Sequence, residues 1–461
     1  MGSARRRLMM LISVFVAALS AVAWPAAGVA HAATITPLAA AYQVAADTAN
    51  GYLFISEGTS PSYEPSITDS TILVTDLSGN PVATLPGPQA IGGMTLSPDG
   101  TTLYVVQASG VTAYSTATLQ QTSFYNIGFP AYSVAVQSGQ LWVTYGEGGG
   151  NFTIGSLDPS TGAFNATAFP VGWTLFAPQV SADPTGASGV LVTQRIGETP
   201  RTVASFNVSN PAAVTEVASS DSLPSCGLPN GLAVMPGGAG FVCDGVLYSP
   251  ADMSEQGSYV SGAVTGVAAD GTVAVAAPPP AGNPDTTPDL FVFPPGSVNY
   301  PNYKTAFTLE TPTAAVAALA WPAGSDTTLY AVIQTTDSAG DPLSFAVQAL
   351  DARAETTLTL TGPATAKPHA RVTLTGQLIT QLTGTSAPLP GAQVTITRSI
   401  TRAGKTQTET LLATTAADGT FTVPDRLRGR GTYTYTATFA GDPEDAPATS
   451  APLTLVAQPA Q

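Results

Sequence analysis

Residues 92–120 read GGMTLSPDGTTLYVVQASGVTAYSTATLQ, and the pattern of this stretch decides the fold of most of the chain. Small and apolar residues alternate up to Leu96, Ser97-Pro98-Asp99-Gly100 supplies a turn, and 102–107 is a β-branched and aromatic run. Two more short strands follow Ser109-Gly110. Four short strands in a row make one antiparallel unit that cannot bury its apolar surface alone, so the unit is expected to repeat.

The same order recurs along the chain. At 42–85, VAADTANGYLFIS supplies the first two strands and ILVTDLSG the third; at 131–169 the pattern is YSVAVQSGQLWVTYG followed by FTIGSLDPSTG. Looser copies occupy 178–219, 229–262, 264–310 and 314–352, the last opening on VAALAWPAGSDTTLYAVIQ. Repeats of ~40 to 45 residues with four strands each are blades of a β-propeller. The reading is an all-β chain with seven blades, six or eight being admitted by the looser registers.

The motif LSPDGTTLYVV resembles the YVTN-type and lactonase-type β-propellers, which repeat an apolar first strand, an S-P-D-G-like turn and an LYV second strand. The resemblance covers about two thirds of the chain and bears on fold rather than activity. It implies that one face carries the loops between blades and those joining second to third strands. Long insertions at 57–69, 145–151, 195–201, 277–289 and 335–342 are of the latter kind, and the linkers beside them hold Phe129, Tyr132, Trp173 and Phe176. That face is the candidate binding surface, with Tyr63, Tyr145, Glu147, Trp173 and Arg195 as candidate ligand contacts. The plainer alternative is that the insertions drift and the aromatics pack between blades. Cys226, entering the fifth unit, and Cys243, ending its second strand, fall on the same face and are expected to form a structural disulfide.

Residues 1–32 carry Arg5-Arg6-Arg7, an apolar run and the exit Ala30-His31-Ala32, which reads as a secretory signal peptide cleaved after Ala32. No cysteine follows the run to take a lipid, no later stretch is long and apolar enough to span a membrane, and the end of the chain lacks a sorting motif. A secreted, extracellular, monomeric protein from a bacterium is therefore expected, the Thr, Ala, Gly and Pro bias suggesting a high-GC source. From 33 to 352 there are 3 basic residues against 23 acidic, a net of −20; from 353 to 461 there are 9 against 7, a net of +2. The expected domains are thus a propeller at 33–352 and a second module at 353–461. So acidic a propeller argues against nucleic acid and against anionic lipid. Its charge is read first as solvation, with divalent-cation binding as the functional alternative.

In the second module, TTLTLTG, RVTLTGQLIT, GAQVTITRSIT and later strands alternate with period two, the pattern of a two-sheet sandwich. AADGTFTV and YTYTATFAGDPEDAPATSAPLTL resemble bacterial immunoglobulin-like repeat domains of secreted proteins. Tyr433 and Tyr435 are the candidates for the buried tyrosine of such sandwiches. An isopeptide role for Lys367 is disfavoured by its place beside Pro368.

Chemistry is narrowed by histidine. His31 leaves with the signal and His369 lies in the second module, so a Ser-His-Asp, Cys-His or histidine metal site has no residues in the propeller. Relatives that are lactonases or lyases generally use His or a carboxylate-held cation, and only the latter route is open here. Asp285 with Asp289, or Glu57, Glu64 and Glu147, are the oxygen ligands available for Ca²⁺, at spacings that match no calcium loop. The favoured expectation is a non-catalytic protein, without a cofactor, binding a glycan, peptide or cell-envelope component, with the Ig-like module as spacer or attachment unit. The alternative is a secreted lactonase-like or lyase enzyme working through a carboxylate-bound divalent metal.

Overall fold

The computed structural model describes residues 28–29, 34–36, 38, 41, 43–57, 71–85, 90–146, 152–169, 179–194, 202–227, 230–262, 264–277, 289–309, 314–323, 325, 327–337, 342–382, 385–402 and 405–459. Among them the only helical element is a three-residue 3-10 turn, Pro236–Gly238. No helix of the described residues is long and apolar enough to cross a membrane.

The chain from Gln43 to Asp351 folds as successive antiparallel sheets of four strands each, save the last, to which this stretch gives three. The sheet quoted above uses Ala90–Leu96, Thr102–Gln107, Gly110–Ser115 and Gln121–Asn126, each strand pairing with the next. The others span 43–84, 131–165, 179–220, 232–258, 264–308 and 314–351. The first strand of every sheet lies beside the first strand of the next, and the last of them, Ala314–Ala320, lies beside Gln43–Asp47. The sheets therefore close into a ring, a β-propeller. Gly93 sits where two inner strands come closest; a Cβ there would stand 2.5 Å from the Tyr132 carbonyl oxygen.

Apolar residues on the second and third strands are buried on both faces because each sheet is covered by its two neighbours. Phe54 and Val74 of the first sheet pack with Met94, Leu103 and Tyr114 of the second. Equivalent clusters lie between all later neighbours, and Leu53, Ile55 and Ala46 pack with Tyr330, Val332, Phe345 and Val347 to join first sheet to last. Burial of each large side chain contributes about 1.5–3 kcal/mol, so the ring is held by its inter-sheet layers rather than by a single centre.

The N-terminal segment completes two sheets. Gly28–Val29, inside the stretch read as a signal peptide, pairs in parallel with Phe307 and Thr308. Thr34–Thr36, just beyond the expected cleavage point, is antiparallel to the last sheet, with Thr34 opposite Val347 and Thr36 opposite Phe345. The outermost strand of the last sheet thus comes from the beginning of the chain.

From Glu355 onward two further sheets enclose one separate core. One is built on Arg371–Leu382, flanked by Glu355–Thr361 and Thr420–Arg426; the other on Gln393–Arg402 and Gly431–Phe439. Leu374, Leu378, Val394, Ile396, Tyr433, Tyr435 and Leu455 are completely buried between them. The Tyr433 hydroxyl donates to the Gly429 carbonyl four residues upstream (3.0 Å), the local clasp that sandwich tyrosines often make. The Tyr435 hydroxyl donates to Asp425 (2.7 Å), which also receives two bonds from Nη1 of buried Arg398 (2.6 and 2.8 Å). Burial opposes the Arg398 charge, but Asp425 outweighs it, and the guanidinium is held above its usual pKa. Glu409 takes Arg398 Nη2 on the other side.

The loop at 442–446 holds the start of the second unit and also touches the ring. The Ala354 N–H donates to the Glu444 carbonyl and the Ala446 N–H to the Ala354 carbonyl (2.8 Å each). Lys304, buried in the ring, reaches Glu444 at 3.4 Å.

Two outcomes follow from these contacts. Deleting residues 33–36 from a chain that begins at Ala33 removes two or three ladder bonds at about 1 kcal/mol each; the expected result is a lower melting temperature and new proteolysis within 342–351. Asp425→Ala leaves Arg398 buried without its main partner and is expected to cost ~3–5 kcal/mol in denaturant unfolding, whereas an apolar Arg398→Met/Asp425→Leu pair recovers most of that loss.

Candidate functional site

The two faces of the ring are chemically different because an antiparallel meander sends its first-to-second and third-to-fourth turns to one end and its second-to-third connections to the other. The first end is made of tight aspartate turns. Asp99 accepts the Thr101 N–H (3.1 Å) and the Ser97 hydroxyl (2.5 Å), and the Ser97 bond is the main reason its pKa lies below the usual value. Asp47, Asp76, Asp158, Asp183, Asp252 and Asp270 each accept a backbone N–H two or three residues on in the same way. Much of the ring's acidity is thereby spent on turns. A notch of about 180 Å³ on this end, between Leu96, Val134, Val136 and Ser181, has Asp183 at its lip, and that carboxylate is already bonded to Thr185 and Ser188.

The opposite end varies from sheet to sheet. In the second and fifth sheets the strands join through tight turns, with Gln107 opposite Gly110 and Cys243 opposite Val246. In the first, third, fourth, sixth and last sheets the flanking strand ends, Ser56 and Ile72, Gly146 and Phe152, Gln194 and Val203, Ala276 and Leu290, Thr336 and Pro342, are the anchors of the sequence insertions. All five insertions therefore spring from one face.

Of the sequence-nominated contacts, Tyr63, Glu147, Trp173, Arg195 and Asp285 lie outside the described residues, as does Glu64. Tyr145 is described and buried: its ring meets Phe129 and Phe164 at 5.4 and 5.1 Å, and its hydroxyl donates to the Ala166 carbonyl (2.8 Å). Glu57 sits at an insertion root, where it accepts the Thr71 hydroxyl. Asp289 lies at the root of the sixth sheet's insertion and accepts the Leu309 N–H (2.7 Å); it is only 7% exposed, and burial pushes its pKa up. Among the described residues no three His, Cys, Asp or Glu side chains come together as a metal site.

Cys226 and Cys243 form a disulfide on this face, with Cα atoms 4.4 Å apart. By the loop-entropy estimate, a loop of this length contributes about 3 kcal/mol. The bridge pins the fifth sheet's entry to its second strand, and the next residue, Asp244, is the member of the site that sequence reasoning missed. It opens the tight turn at φ 50°, is pushed up in pKa by burial, and accepts from the Ser261 hydroxyl and the Gly262 N–H. The signal was available: Asp-Gly directly after a strand marks a turn whose first residue takes positive φ. Asn230 spans the neighbouring inner strands, its main-chain carbonyl accepting the Thr265 N–H (2.7 Å) and its side-chain amide donating to the Ala317 carbonyl (3.2 Å). A buried carboxyl, a half-buried one and a bridging amide on a rigid rim suit hydrogen bonding to a polar ligand.

Both raised carboxyls carry a stability signature. A folded pKa above the unfolded one means that the native state holds its proton longer, so stability present below about pH 4 is lost as pH rises through the raised value. At pH 7 the ionised forms are therefore a cost. Asp244→Asn and Asp289→Asn are each expected to melt at the wild-type temperature or above at pH 7, with a flatter melting profile from pH 4 to 7.

No protein-family model matches the chain, and no curated protein matches it. Among solved structures, the chain is similar to PorZ, an essential bacterial surface component of the type-IX secretion system of Porphyromonas gingivalis, at 14% identity and a TM-score of 0.48. That match covers 91% of this chain and 60% of PorZ, so the chain spans about three fifths of PorZ's length. A chain of a mitotic checkpoint complex is similar at 10% identity and a TM-score of 0.47, covering 75% of this chain and 99% of that one. Similarity at this level bears on neither ligand nor activity.

Proposed function

We propose that the chain is an exported, non-catalytic binding protein. In this reading residues 1–32 are a signal peptide, 33–352 a seven-bladed propeller of the YVTN type, and 353–461 an Ig-like sandwich acting as spacer or attachment unit. The observation that carries it is the asymmetry of the ring. One face is built of short aspartate turns, while the other collects five insertions between rigid strand ends, with Asp244, Asp289 and Asn230 among its fixed polar groups. Variable loops on a rigid scaffold are where recognition concentrates. The insertions hold many acids and only Arg195 and Arg201 as cations, so the ligand class that fits is an extended neutral glycan or a basic peptide rather than a polyanion. The disulfide accords with an oxidising, extracellular setting.

The test is an affinity screen of the exported chain against neutral glycans and basic peptides, repeated with Trp173→Ala and Asp289→Asn. A ligand whose affinity falls at least tenfold in these variants supports the reading. Ligands that bind both variants as well as wild type would sink the assignment of this face, and stoichiometric Ca²⁺ binding coupled to turnover of a lactone would replace it with the enzyme alternative.

A further inference from the structure

Charge in the C-terminal sandwich is sorted by end. Its joint with the ring carries Arg353 and the acids Glu355, Asp442, Glu444 and Asp445. Strands Arg371–Leu382, Gln393–Arg402 and Gly431–Phe439 each have their other terminus at the far end, where the remaining Lys and Arg of the module stand. Glu409 and Asp425, the acids on that side, are both bound to buried Arg398.

The exposed cations there break a rule of sheet design. Arg371 is directly opposite Arg426 across the strand pair, a like-charge placement that disfavours the fold. Burial alternates beyond it, with Arg426, Arg428 and Arg430 outward and Leu427 and Gly429 inward, so three guanidiniums follow one another along one edge. Arg428 meets Glu409 at 2.5 Å; among the described residues Arg371, Arg426 and Arg430 meet no carboxylate. A cleft of about 500 Å³ opens beside the row, lined by His369, Arg398, Glu409, Leu411, Arg426 and Arg428. A local cost with no compensation inside the fold marks a functional surface.

We propose that this end of the sandwich docks on a linear phosphodiester polyanion of the cell envelope. The inference rests on the attachment role given above to the sandwich and adds what it attaches to. Guanidinium forks in a row match repeated phosphates, which each Arg can hold through two parallel N–H bonds. The acidic ring of a second copy fits less well, because many of its aspartate oxygens already accept bonds from their own turns.

The experiment uses the full exported chain, poly(glycerol phosphate) as probe and dextran as uncharged control, with affinity measured across a salt series. Wild type is expected to bind the probe and not dextran. Arg371→Ser/Arg426→Ser/Arg430→Ser, whose side chains make no ion pair to lose and which removes the like-charge pair, is expected to melt at the wild-type temperature or above. Its slope of log affinity against log salt should be shallower by about two to three. Equal probe binding by this variant, or equal binding of dextran, overturns the proposal. So does salt-sensitive self-association in sedimentation that the triple variant abolishes, since the occupant is then a second copy. Trp173→Ala and Asp289→Asn should leave probe binding unchanged; if they remove it, the polymer sits on the ring and this inference fails.

Discussion

Leu53 and Ile55 of the first sheet pack on Tyr330 and Phe345 of the last, and every other layer of the ring depends on that contact being made. Each sheet has apolar residues on both faces, so a sheet at an open end would leave one face in water. Closure removes the two open ends together. Layers between all neighbours then spread stability around the circle.

Turn chemistry divides the faces. On one end, carboxylates accept N–H groups two or three residues away and tighten the loops; on the other, connections differ in length and carry the half-buried carboxyl of Asp244 and the buried one of Asp289. The sandwich repeats the theme in reverse, with acids at the joint and exposed arginines at the free end. Acidic insertions on one face of the ring and exposed arginines on the sandwich are chemically opposed, so the ligands proposed for the two surfaces would not compete.

Local pattern was enough to place strands within the repeat: TLYVVQ is the strand Thr102–Gln107, and the turn at Asp99 closes as its composition implied. Cys226 and Cys243 pair as their positions in the repeat suggested. The period-two run after Glu355 buries Tyr433 and Tyr435. What could not be read is what converges from distant segments. Arg398, Glu409 and Asp425 belong to three strands, and nothing within any one of them announces an ion-paired core. Nor does the charge total show that aspartates are turn residues, because formal charge carries no geometry. Tyr145 shows the limit for single aromatics: its position beside an insertion is the same whether it faces a ligand or, as here, packs between Phe129 and Phe164.

Thr34–Thr36 lies against residues more than three hundred positions further on. A chain threaded through a membrane from its N-terminus therefore delivers one strand of the closing sheet first and that strand's partner near the end of the ring. Until Pro342–Asp351 has crossed, the leading segment has nothing to pair with, and the ring remains an arc with two apolar ends exposed. Contacts of such long sequence separation form slowly. For any chain that emerges N-terminus first, the interval before closure is therefore when its apolar faces are most exposed to aggregation.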